Sequence, residues 1–311
     1  MSKPIIVGYD PATSDRAPVN FAVAAARFTG APLIVASAAA AVGDRPGAGQ
    51  QDEDLVLDVS QALEDAKREL EPEGLTVECR ALANTSAARA LHETSEAEDA
   101  GLLVVGSTRR GPVGRVVPGS TAERLMHGAP CPIAIIPPGW HAGAGLNTIG
   151  VAYVDTEEGR EALRGAHALA RSAGASLRVL TAVKAGLAMY GQTEARTAEQ
   201  RGKDFEEVEG ELRVQAETAL RQATDALNGD VPVETDAFVE DPADVLIRVS
   251  EHLDLLICGS RGYGSLRAVL LGGVSRRLTA EAQCPVIVLP RGVKASLDAL
   301  MEATPGAPAA G

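Results

Sequence analysis

Short runs of Val, Ile and Leu alternate along this chain with longer stretches in which apolar residues recur at every third or fourth position. The first signature belongs to strands and the second to amphipathic helices, and their regular alternation predicts a parallel sheet crossed by helices. Strands are expected near Ile5 to Tyr9, Leu33 to Ser37, Thr76 to Leu82, Leu102 to Val105 and Ile133 to Ile136. Five more are expected near Ile149 to Tyr153, Leu177 to Ala182, Val231 to Val239, Leu255 to Cys258 and Val286 to Leu289. The runs "LLVV" and "IAII" are apolar at every position, as befits strands covered by helices on both faces. A long, strongly charged helix is expected from about Asp204 to Leu227.

The order of elements occurs twice because the sequence itself repeats. "IIVGYD" at Ile5 to Asp10 is answered by "IGVAYVD" at Ile149 to Asp155, and Tyr9 and Tyr153 are separated by the same interval as Gly30 and Gly174. "GLLVVGS" is answered by "DLLICGS", and "APCPIAIIP" from Ala129 by "AQCPVIVLP" from Ala282, at a slightly longer common interval. Two domains follow, 1–140 and 147–291, joined by the Pro- and Gly-containing stretch "PPGWHAGAGLN" from Pro137 to Asn147. "GDRPGAGQQ" from Gly43 to Gln51 reads as a flexible connection, and residues 292–311 as a flexible tail outside any core. The closing strands "PIAIIP" and "PVIVLP" can pair with each other, which would make the halves an intramolecular pseudo-dimer; a homodimer through exposed faces is a further form of association.

Composition narrows the functions open to such a chain. Its 311 residues are 45% hydrophobic, enough for a core in each half, and only 3% aromatic, so packing rests on aliphatic side chains and alanine. A net charge of -13 opposes broad contact with nucleic acid or an anionic membrane. The opening "MSKPIIVGYD" lacks the apolar region of a signal peptide, and no window reaches the roughly 18 apolar residues of a membrane span. A cytoplasmic location is expected. Cys79, Cys131, Cys258 and Cys284 occur singly and read as small buried hydrophobes. His92, His127, His141, His167 and His252 show no metal-ligand spacing and read as surface or helix-end residues. No catalytic nucleophile is recognisable, and the acidic runs "QQDEDL" and "DFEEVEGEL" read as solvated helix faces.

Candidate chemistry concentrates in two glycine-spaced loops. In an open parallel sheet, ligands gather beyond the carboxyl ends of strands, where glycines let backbone N–H groups approach phosphate oxygens. One loop carries Gly106, Gly111, Gly114 and Gly119, with Arg109, Arg110 and Arg115, and leads into Ser120 and Thr121 as a helix cap. The other carries Gly259, Gly262 and Gly264, with Arg261 and Arg267, and reaches Gly272 and Gly273 before a helix near Val274. Both are candidate anion cradles. Ser120 reads either as a cap alone or as a cap that also reaches a phosphate, and the arginines read as phosphate contacts or as surface charges. "GRVVPGST" approaches a Walker A loop but has Ser120 where that loop needs lysine, and it does not directly follow its strand.

Gly259-Ser260-Arg261-Gly262, nine residues, then Gly272-Gly273-Val274-Ser275 resembles the G-x2-G-x9-G-[ST] loop of the universal stress proteins. The resemblance covers both copies, from Val7-Gly8-Tyr9-Asp10 to the Cys-Pro-apolar closing strands, and identifies a tandem member. It implies an α/β fold of two tandem open parallel five-stranded sheets of order 3-2-1-4-5, with helices on both faces, the adenine nucleotide alpha hydrolase-like fold. It also implies ATP, alone or with Mg, held between strands one and four in some members. The residues that the family pattern then assigns to nucleotide are Asp10, Gly106, Arg109, Gly119, Ser120 and Thr121 in the first copy. In the second they are Asp155, Gly259, Arg261, Gly262, Gly272, Gly273, Val274 and Ser275. Neither set is complete: Arg109 stands at a glycine position, Gly273 replaces the hydroxyl residue, and Val154 replaces the strand-end aspartate, leaving Asp155 one position late. The expected role is an adenine-nucleotide-binding stress-response or regulatory module without efficient catalysis. A nucleotide-free interaction scaffold and a slow ATP hydrolase are the alternatives.

Overall fold

The computed structural model of the chain describes residues 3–13, 15–39, 49–70, 74–84, 86–107, 120–126, 128–141, 143, 145–184, 198–259 and 273–290. The first half runs β1 (Ile5–Gly8), α1 (Ala17–Thr29), β2 (Leu33–Ala39), α2 (Gly49–Leu70), β3 (Val77–Ala83), α3 (Ala87–Ala97), β4 (Leu102–Gly106), α4 (Ser120–Met126) and β5 (Ile133–Ile136). The second runs β6 (Thr148–Ala152), α5 (Glu157–Ala173), β7 (Ser176–Ala182), α6 (Ala198–Asp225), β8 (Val233–Phe238), α7 (Pro242–Ser250), β9 (Leu255–Gly259), α8 (Gly273–Glu281) and β10 (Val286–Leu289). All ten expected strands are present, most within a residue or two of the expected ends. The charged helix α6 begins at Ala198, ahead of the expected Asp204.

Within each half the strands pair in parallel, in the spatial orders β3-β2-β1-β4-β5 and β8-β7-β6-β9-β10. These are the 3-2-1-4-5 sheets that the family resemblance implies. They do not stay separate. β5 and β10 pair antiparallel, with Ile133 opposite Val288, Ala134 opposite Ile287 and Ile135 opposite Val286, so the chain forms one continuous sheet of ten strands. Every residue of β5 and β10 is buried, as the uniformly apolar runs require.

Helices α1, α2, α5 and α6 cover one face of this sheet, and α3, α4, α7 and α8 cover the other. The apolar cluster on each face includes residues of both halves. Ile5, Leu33, Leu63, Ile149, Leu177 and Leu220 belong to the first, and Ile6, Leu91, Leu125, Leu246, Leu256 and Leu278 to the second. Alternate residues of one strand, such as Ile5 and Ile6, therefore anchor opposite layers. Matching helix ends carry the repeat into local geometry. Gly30 after α1 and Gly174 after α5 both adopt left-handed backbone, φ 67° and 66°, and each donates its N–H back to the helix carbonyls; a Cβ is disfavoured at this conformation. The outer strands β3 and β8 carry Glu78, Arg80, Glu234 and Asp236, charges that discourage pairing with another chain.

A shared sheet and shared apolar layers predict one unfolding event. Calorimetry of the full chain is expected to show a single transition whose calorimetric and van't Hoff enthalpies agree; two resolved transitions would contradict it. A second expectation concerns Asp241, the N-cap of α7, which accepts from the N–H groups of Ala243 at 3.0 Å and Asp244 at 3.4 Å and from Lys184 Nζ at 3.1 Å. The Lys184 hydrogen bond, helped by those N–H donors, holds its carboxyl below the ordinary value. Because the folded value is depressed, the stabilisation is present above the unfolded pKa and disappears as pH falls through the folded one. Asp241→Ala should cost about 1 kcal/mol at neutral pH. Denaturant titrations should show the gap to wild type closing as pH drops below about 4.

Candidate functional site

The sequence β1, loop, α1 builds a cavity in the first half. Pro18 sits in the opening turn of α1, where a missing N–H costs nothing. The eight residues from Tyr9 to Arg16 are thus left as a loop beyond the carboxyl end of β1. This loop is pinned by its own polar groups: Asp10 Oδ1 accepts from Ala12 N at 3.0 Å, and the Asp10 carbonyl accepts from Thr13 N and Thr13 Oγ1, each at 3.1 Å. Arg16 lies over the Tyr9 ring at 5.0 Å and forks onto Glu69. Asp15 Oδ1 accepts from Ala17 N at 3.0 Å and from Gly139 N at 3.3 Å, which ties the inter-half linker to the rim.

These constraints enclose a cavity of about 460 Å³ at the carboxyl ends of β1 and β4. Gly8 and Ala36 form part of its floor, Asp10, Asp15 and Thr13 one side, and Gly106, Ser107 and Thr121 another. The volume lies inside the range of about 300–1,000 Å³ usual for small-molecule sites. Asp10, Gly106 and Thr121 are thereby brought together. Ser120 opens α4, and its side chain, with Arg109 and Gly119, lies outside the described residues. The composition of the loops gave no reason to single out Asp15, Ser37 or Ser107, all of which line the cavity; the signal available was their position one or two residues from a strand or helix end.

The second half treats the same position differently. With Tyr153 matched to Tyr9, α5 starts at Glu157, the counterpart of Thr13, so one more helical turn replaces part of the open loop. Thr156 caps this turn by accepting from Gly159 N at 3.0 Å, and Glu157 and Glu158 suit the positive end of the helix. Thr156 N also donates to the Val154 carbonyl at 2.7 Å. A Cβ on Gly159 would stand 1.9 Å from that carbonyl oxygen, so the turn closes only around glycine. On the floor, Ala152 and Leu180 take the places of Gly8 and Ala36. The remaining cavity, lined by Val154, Gly259, Gly273, Val274 and Ser275, measures about 80 Å³.

Asp155 does not line that cavity. It is exposed, accepts from the Tyr153 hydroxyl at 3.2 Å and pairs with Arg160. Burial and then the Asp155 charge push the Tyr153 phenol above its ordinary value. Arg261, Gly262 and Gly272 lie outside the described residues. Because β5 and β10 run antiparallel, the two cavities open at opposite ends of the shared sheet.

Other candidates resolve simply. No cluster that could hold a metal ion occurs among the described residues, and no described helix is long and apolar enough to cross a membrane. His167 departs from the surface position expected of it: it is buried against the loop before β8, its Nε2 within 3.2 Å of both the Asn228 carbonyl and Asp230 Oδ1. Cys131, Cys258 and Cys284 are buried as expected, whereas Cys79, on the outer strand β3, is half-buried.

At the level of family, the match of the sequence to known proteins is decisive. The family model described as the universal stress protein family matches residues 1–137 and again residues 145–290. The chain belongs to the universal stress protein family. A universal stress protein of Mycobacterium tuberculosis is 26% identical over 298 residues, covering 92% of this chain and 99% of that one. Another from the same organism is 27% identical over 317 residues, covering 93% and 99%. Among solved structures, a universal stress protein from Archaeoglobus fulgidus superposes with a TM-score of 0.64 at 17% identity, covering 94% of this chain and 97% of that one; this is a likeness of fold. The tandem arrangement is therefore shared along nearly the whole chain.

Burial pushes the thiols of Cys131, Cys258 and Cys284 up to about 12, which makes them poor nucleophiles at neutral pH. A thiol reagent at pH about 8 is expected to label Cys79 first in the folded chain and the other three cysteines only on unfolding. Mass mapping of the labelled peptides checks this order.

Proposed function

We propose that this universal stress protein binds one adenine nucleotide per chain, in the first half, and acts as a regulatory or stress-response module without efficient catalysis. The observation that carries the reading is the contrast between a cavity of about 460 Å³ beyond β1 and β4 and one of about 80 Å³ at the equivalent place beyond β6 and β9. The described lining also suits a nucleoside. Asp10 and Asp15 are acceptors, fitted to ribose hydroxyls or an exocyclic amine and ill suited to phosphate; Thr13, Ser37, Ser107 and Thr121 add hydroxyls. The phosphates, with Mg if it accompanies them, are assigned to Gly106 and the glycine- and arginine-containing stretch that follows it in sequence. No lysine or histidine is among the described lining residues of the cavity, where Asp10 and Asp15 are the titratable carboxylates.

Native mass spectrometry and calorimetric titration with ATP test this. One nucleotide per chain is expected. Ala36→Leu, which copies the Leu180 of the second half, should abolish retention, and Asp10→Ala should weaken it about tenfold, roughly 1.4 kcal/mol. Gly262→Arg should leave it unchanged. Two equivalent sites would place a nucleotide in each half and overturn the reading; loss through Gly262→Arg with Ala36→Leu still binding would move the site to the other half. No retention at millimolar ATP by the folded chain would leave the scaffold role.

A further inference from the structure

A third cavity, unrelated to either glycine loop, lies where α1 of the first half faces α5 of the second across the β5–β10 junction. Its volume is about 170 Å³. The floor is Leu102, Leu255 and Ile287, residues only 1–3% exposed, so it reaches core depth. Phe21, Ala25 and Phe28 of α1 form one wall and Leu169 of α5 the other, while the linker supplies Trp140 and Leu146 as a roof. Trp140 meets Phe21 edge to face, centroids 5.4 Å apart. Among the described lining residues Thr29 and Trp140 carry polar side-chain groups: the Thr29 hydroxyl is already committed, donating to the Ala25 carbonyl at 2.7 Å and accepting from Ala31 N at 3.3 Å, and the Trp140 indole brings a single N–H donor. No charged side chain is among the described lining residues.

We propose that this seam cavity is a binding site for a small uncharged apolar molecule of about the size of a single aromatic ring. A space of roughly 150 Å³ walled by Leu, Ile and Phe accepts benzene or xenon, whereas a water held there needs two or more polar partners. A helix, about 10 Å across, does not fit so small a space, so a helical segment is not its occupant. The repeat is not kept along this wall: in particular, Ala25 stands in α1 where α5 has Leu169. The site is independent of the nucleotide reading.

Trp140 is the single tryptophan of the chain; it lines this cavity and also a neighbouring cleft with Pro137, His141 and Gln283, so its fluorescence is read together with the methyl resonances of the cavity floor. Titration of the full-length protein with benzene is expected to give a saturable change in that emission, with matching shifts of the Leu102, Leu255 and Ile287 methyl resonances. Benzoate, of the same ring size but charged, should give neither. Ala25→Leu should remove the response, and Leu169→Ala should keep it and extend it to naphthalene, which provides an independent check should the filled variant fold poorly. A response that rises linearly without saturating and is the same in Ala25→Leu, methyl shifts spread equally to Leu125 and Leu246 on the opposite face of the sheet, or equal binding of benzoate would each overturn the proposal.

Discussion

The antiparallel pairing of β5 with β10 is the constraint on which the rest of the structure depends. Each strand is four residues long, apolar throughout and buried on both faces, and each would otherwise be the outer strand of its half. Their backbone N–H and C=O groups cannot be left without partners at such depth. Pairing them with each other satisfies these groups and merges two sheets into one. It also sets α1 beside α5, draws both apolar layers into continuity across the junction, and points the carboxyl ends of β1 and β6 in opposite directions.

Divergence between the halves has been accommodated without disturbing that frame. The pairs Gly8 with Ala36 and Ala152 with Leu180 occupy equivalent positions in register, yet the first leaves room above the sheet and the second fills it. The loop that follows obeys the same division. Pro18 restricts α1 to 13 residues, while Thr156 and Gly159 allow α5 to reach 17. A few methyl groups and one helical turn separate an open cleft from a nearly closed one, because a packed interior responds to small changes of volume.

Much of this was legible in the residues. Uniformly apolar runs marked the buried strands, the repeat marked the two halves, and Asp10 with Gly106 marked the edge of the larger cavity. What was not legible lay in shape. Val154 in place of an aspartate is visible in the sequence, but the folding of its carbonyl against Gly159 is a matter of backbone path. Asp15 looks like any loop aspartate until its oxygen is seen to reach Gly139, far along the chain. His167 looks like a surface residue because the partner that buries it, the Asn228 to Asp230 loop, comes after an intervening strand and a long helix.

The opposition of Ala134 to Ile287 at the junction has a bearing on how the two halves came to be kept in one polypeptide. Where identical subunits meet on a twofold axis, any residue facing its own counterpart must face a copy of itself, so a small side chain cannot be set directly against a large one. Covalent fusion lifts that requirement. Each side of the axis is then free to acquire its own shape, and lopsided fits such as Ala134 with Ile287 become available that identical separate subunits could never form.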